Sequence, residues 1–100
     1  MGFFNSIHYS QDEHPLTEFE VHKYVTYLHI PTLEHHPDRE KMIQDAILAR
    51  RKGDGKISLQ QMYELLTHMK ETNQITKYDR EGVMKVLKNY LSTRTSVMTS

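Results

Sequence analysis

Apolar residues along this 100-residue chain recur at intervals of three and four rather than two, the spacing of helix faces packed on a core. The first such run opens at "LTEFEV". Thr17 stands at an N-cap, Glu20 completes a capping box, and Leu16 and Val21 are placed as a hydrophobic staple. A helix over 17–29 follows, with Val21, Tyr24, Val25 and Leu28 on its inner stripe and Pro31 ending it. The second run, "HHPDREKMIQDAILARRKG", starts with Pro37 and Asp38 and carries Met42, Ile43, Ala46 and Ile47 at helical spacing. It predicts a helix over 38–52 closed by Gly53 in a left-handed conformation. In "ISLQQM" Ser58 caps, Gln61 closes the box and Ile57 can staple to Met62. The helix over 58–70 then presents Leu59, Met62, Tyr63, Leu66 and Met69 on one face. A last helix over 77–92, capped by Thr76 or Asp79, turns Val83, Val86, Leu87, Tyr90 and Leu91 inward. No strand-like alternation of useful length appears, so the expected fold is all-α: about four short helices and no sheet.

These elements form one helical domain over 15–92, between a polar N-terminal segment (1–14) and a polar tail (93–100), both expected to be flexible. The opening "MGFFNS" fits the Met-Gly-x-x-x-Ser acylation pattern, but a bulky Phe directly after the glycine argues against it. Phe3 and Phe4 are expected to lie against the domain or stay mobile.

Composition narrows the picture. An apolar share of 37% with 26% charged residues fits a soluble domain with a thin core, and no apolar run reaches the ~18 residues of a membrane span. The chain has no cysteine, which removes disulfides and thiolate metal sites and fits a reducing cytoplasm. The formal charge is zero but unevenly spread. Residues 1–40 carry seven Asp/Glu against two Lys/Arg (−5), and residues 41–100 carry eleven Lys/Arg against six Asp/Glu (+5). This polarity is compatible with self-association or an anionic partner for the second half, and equally with a mixed solvated surface. Six of the seven histidines lie in the acidic part, so acidification to about pH 5 would swing that part from −5 to about +1.

The stretch "ARRKGDGKISLQQMYELL" invites comparison with a calcium loop. With Gly55 at the turn glycine and Ile57 at the eighth position, the ligand positions fall on Arg50, Lys52, Asp54, Ser58 and Gln61. Calcium requires several anionic oxygens and a terminal bidentate carboxylate, so this loop is not expected to bind it. As a DNA-reading helix-turn-helix the chain is also imperfect, because "KETNQITKYD" is longer than the usual turn. Two basic clusters nevertheless stand out as candidates for phosphate or another anionic partner: Arg50, Arg51, Lys52 and Lys56 at the turn, and Lys77, Arg80, Lys85 and Lys88 on the last helix. Glu18–His22 and His35-His36 near Asp38 fall short of three or four convergent metal ligands. No phosphate cradle, nucleophile elbow or His-Glu-x-x-His pair is present. The expectation is a non-enzyme with no metal, cofactor or small-molecule substrate.

The last helix is apolar over a wide arc, from Val83 and Met84 through Val86 and Leu87 to Tyr90 and Leu91. That is more than one core face needs, so Val83, Met84, Leu87, Tyr90 and Leu91 are the expected homodimer or partner face. The alternative is that Phe3, Phe4 and Ile7 fold back over the excess.

Residues 53–92 resemble the C-terminal part of the biofilm-development YmgB/AriR family of small enterobacterial connector proteins. The likeness lies in Gly53-Asp54 after a helix, the "LL" of the third helix, and "KET" then "ITKYD" leading into a Val/Leu-rich last helix. The chain departs from that pattern in its longer acidic, His-rich N-terminal part and a one-residue slip in the last helix. The resemblance implies a small all-α homodimer that influences biofilm formation and acid tolerance by binding phosphorelay components or DNA. The expected function is therefore a cytoplasmic regulatory protein acting by protein contact, with six Met and six Tyr suited to adaptable interfaces. A DNA-binding regulator using the basic half, and a small phage- or plasmid-type inhibitor, are the alternatives.

Overall fold

The computed structural model of the chain describes residues 9–27 and 30–99, with side chains at 9–25 and 30–92. Leu28, Phe3, Phe4, Ile7 and the "MGFFNS" motif fall outside these residues. Helix α1 (Glu18–His22) runs on into a π-helical turn, Lys23–Tyr27, and a 3-10 turn, Pro31–Leu33, leads to α2 (Pro37–Arg50). Helices α3 (Leu59–Glu71) and α4 (Lys77–Thr99) complete the mostly helical fold. Both expected capping boxes are present, Thr17 with Glu20 and Ser58 with Gln61. A third opens α4, where Asp79 N–H donates to Thr76 Oγ1 (3.1 Å) and Thr76 N–H to Asp79 Oδ2 (2.9 Å). Alanine at Ser58, which is buried at that cap, is expected to cost about 1 kcal/mol in urea unfolding. An unmoved midpoint would sink the assignment.

The expectation of no sheet fails. Strand β1 (Glu13–Pro15) pairs antiparallel with β2 (Lys56–Ser58), placing Glu13 opposite Ser58, His14 opposite Ile57 and Pro15 opposite Lys56. Three residues per strand are too few to carry an alternation signal. Pro15, which lacks an N–H, is tolerated because β1 has only one strand neighbour.

Two boundaries also differ. Arg51 leaves the helix in extended backbone (φ −62°, ψ 151°), so α2 stops at Arg50 and not at 52. The left-handed glycine is then Gly55 (φ 82°), not Gly53. Gly55 N–H closes a turn onto the Lys52 carbonyl (2.8 Å), and Asp54 braces it by accepting from Lys56 N–H (3.1 Å). At the other end, α4 outlasts its apolar pattern and continues to Thr99. The run 93–99 contains neither Gly nor Pro to stop a helix already formed.

The helices close a four-sided ring: α1 and its π-turn against α2, α2 against α3, α3 against α4, and α4 back against the π- and 3-10 turns. Val21, Ile43, Ile47, Ile57, Met62, Leu66, Val83 and Leu87 fill the middle. Gly82 lets Ile30 approach α4 closely, since a Cβ there would come within 2.6 Å of Ile30 Cγ2. The α3–α4 corner is tightly specified. Gln74 N–H bonds the Met69 carbonyl and Asn73 N–H that of Lys70, a Schellman closure with Asn73 at φ 64°. Ile75 is buried directly after it, and the α4 capping box follows.

Candidate interaction surface

The eight basic candidates divide into those the fold uses and those it leaves in solvent. Arg51 is tied inward: Nη1 donates to the Leu16 carbonyl (2.7 Å) and Nε to that of Leu48 (3.2 Å), joining α2 to the end of β1. Lys52 Nζ pairs with Glu13 at 2.8 Å, which raises the lysine pKa above its usual value. That raised pKa means the pair's contribution holds at neutral pH and is lost as pH rises through the lysine range. Arg80 is half-buried between α3 and α4, with Nη1 donating to Thr67 Oγ1 (3.1 Å) and the guanidinium 5.1 Å from the Tyr63 ring centre. Tyr9 also packs against Tyr63 (5.1 Å between centroids), and burial pushes its phenol pKa up. Arg50 and Lys56 are exposed at the turn, and Lys77, Lys85 and Lys88 are exposed on α4. The structure thus does not gather the eight into one patch.

The calcium-loop frame is present in shape but not in chemistry. Gly55 makes the sharp left-handed turn that such loops need at their sixth position. The ligand positions are otherwise engaged: Lys52 with Glu13, Asp54 with Lys56 N–H, and Gln61 Oε1 with Ser58 N–H (2.9 Å). Among the described residues no group of three or more His, Cys, Asp or Glu could hold a metal ion.

The proposed dimer face lies inside the chain's own core. Val83, Met84, Leu87 and Leu91 are at most 3% exposed, and Tyr90 is half-buried. Reading α4 alone missed what covers its arc. The π- and 3-10 turns pack on it, with Tyr24 stacked on Tyr90 at 4.0 Å between centroids and Ile30 on Gly82. The Tyr90 hydroxyl also donates to Glu20 Oε2. No surplus apolar strip remains at Met84 and Leu91.

Among the described residues the large apolar side chains in solvent are Phe19 (69% exposed) and Tyr78 (64%), with Met42 less exposed. Phe19 and Tyr78 hold the same local position. Each is the second residue of a capped helix, in Thr17-Glu18-Phe19-Glu20 and Thr76-Lys77-Tyr78-Asp79. Each precedes the carboxylate that closes the box. The repeated Thr-x-aromatic-acid pattern is visible in the sequence; helical periodicity passes over it because it looks for buried faces. Met42 lines a shallow cleft of about 250 Å³ at the start of α2, together with His35, His36, Arg39 and Gln74.

No helix of the described residues is long and apolar enough to cross a membrane. Comparison of the chain with protein families, curated proteins and solved structures finds no match in any of the three.

Proposed function

We propose that this protein is a non-enzymatic regulatory adaptor that works in the cytoplasm by binding another protein. The observation that carries the reading is the pair of exposed aromatics at the capped starts of α1 and α4. Among the described residues seventeen apolar side chains are buried in one cluster, and neither Phe19 nor Tyr78 is part of it. Aromatic anchors on rigid backbone are what protein interfaces concentrate, because they bury much area at low entropic cost. The resemblance of residues 53–92 to the YmgB/AriR connectors supports a place in signalling towards biofilm formation or acid tolerance.

Affinity capture from the native host, followed by mass spectrometry, tests the proposal. The parent chain is expected to retain a defined protein, and Phe19→Ala with Tyr78→Ala to lose it while melting normally. Retention of no protein, or capture indifferent to both changes, overturns the adaptor reading. A gel shift on duplex DNA at two salt concentrations checks the alternative of a DNA-binding regulator.

A further inference from the structure

We propose that the outer face of α4 docks an acidic helix of the partner protein, an inference that rests on the adaptor reading above and names the chemistry of its partner. At 100° per residue Lys77, Lys88, Lys85 and Tyr78 fall within a sector of about 100°, opposite Asp79, Val83 and Leu87, which face the core. The stripe runs about 16 Å at 1.5 Å per residue, three turns of helix. Its lysines are spare in a specific sense: Arg51, Lys52 and Arg80 hold the fold together, whereas Lys77, Lys85 and Lys88 project into water. The backbone beneath them is fixed at the top by the Thr76–Asp79 box and further down by the Tyr90–Glu20 bond.

Two observations favour a protein helix over a nucleic acid. Glu81 lies in the same sector between the lysines, so the docking helix carries its carboxylates opposite the lysines and a neutral or basic residue opposite Glu81, an interruption that a helix can accommodate and a continuous phosphate backbone cannot. The chain as a whole is neutral, without the strongly basic balance of nucleic-acid binders. The lysine positions, separated by eight and three residues, match carboxylates one to three turns apart on a helix lying alongside α4. Tyr78 at the upper end supplies the apolar anchor, and the lysines supply steering and register.

The test uses the full ¹⁵N-labelled chain with two probes: a synthetic amphipathic helical peptide with Glu spaced to meet Lys77, Lys85 and Lys88 and a Lys opposite Glu81, and a short duplex DNA. The peptide is expected to move amides within 77–92 and to bind more weakly as salt rises. Lys77→Glu, Lys85→Glu and Lys88→Glu together should weaken it more than about tenfold. The same charge change at Lys41, Arg50 and Lys56 should not. A glutamine series at the three α4 positions keeps the test usable should the glutamates impair folding, which thermal melts report. Absence of peptide shifts, shifts centred elsewhere, equal binding by the α4 variants, or preference for the duplex at about 150 mM salt each overturn the proposal. If the parent captures a host protein whose retention ignores the three lysines, this surface is wrong and the adaptor reading stands. If the parent captures nothing, the adaptor reading itself falls.

Discussion

Alanine in place of Asp79 is expected to remove about 3–5 kcal/mol of stability, the largest loss foreseen for any polar residue in this fold. The carboxylate is fully buried, and one oxygen, Oδ2, serves two donors: Arg39 Nη1 at 3.1 Å and Thr76 N–H at 2.9 Å. Arg39 is 27% exposed, so solvent reaches the pair from the arginine side only, while the carboxylate end is shielded. Removing Asp79 leaves a half-buried guanidinium without its partner and opens the first turn of α4. It also cuts the link between α2 and α4, which stand diagonally across the ring. Replacing both partners by apolar residues, as in Arg39→Met with Asp79→Leu, should recover much of the loss, because no charge is then stranded; the missing cap, worth about 1 kcal/mol, would remain. Urea unfolding of the two single variants and the double variant measures this. A loss below about 1 kcal/mol for Asp79→Ala would show that the pair is not buried as described.

Leu87→Ala should cost about 2–5 kcal/mol. Leu87 is 0% exposed, on the face of α4 that meets the core, and deleting three carbons there leaves a cavity that the capped helices around it cannot readily collapse. For a domain this small each kcal/mol lowers the melting temperature by about 4–8 °C, so a fall on the order of 10–30 °C is expected. The atoms packed against Leu87 belong to the same chain, so the fall should be the same at about 5 and 200 µM protein. If the parent instead melts higher as concentration rises, and Leu87→Ala abolishes that rise, the α4 face is an interface between copies after all.

Much of what the sequence made legible is encoded within a few residues, though the equally local Thr76–Asp79 box reads in the sequence only as a choice between two caps. Thr17 with Glu20 and Ser58 with Gln61 were readable as capping boxes because their partners lie three positions apart. Most of the helix stripes were readable for the same reason. Features depending on residues distant in the chain were not. The β1–β2 pair joins segments over forty positions apart, and neither carries a pattern by itself. Gly53 and Gly55 flank one Asp, and the local sequence does not distinguish them; in the structure α2 ends before Arg51, whose side chain reaches the Leu16 carbonyl, and Gly55 is the one that turns left-handed. The apolar surplus of α4 was counted correctly, but its cover comes from Tyr24 and Ile30, on turns that a helix template reads as a helix tail and a stop. Of the basic candidates, periodicity placed Lys77, Lys85 and Lys88 outward as found. It could not foresee that Arg80 is drawn onto Tyr63.

The two carboxylates that close the boxes of α1 and α4 each have a second task, Glu20 towards Tyr90 and Asp79 towards Arg39. A cap ordinarily secures only its own helix, and the opening turn remains the part that frays first. Here neither opening turn can fray without also letting go of an element elsewhere in the ring. The start of α1 is fastened to α4, and the start of α4 to α2. Phe19 and Tyr78 are carried on these two turns, so a partner would meet both on backbone already set in place and would have only the ring rotamers to order on arrival.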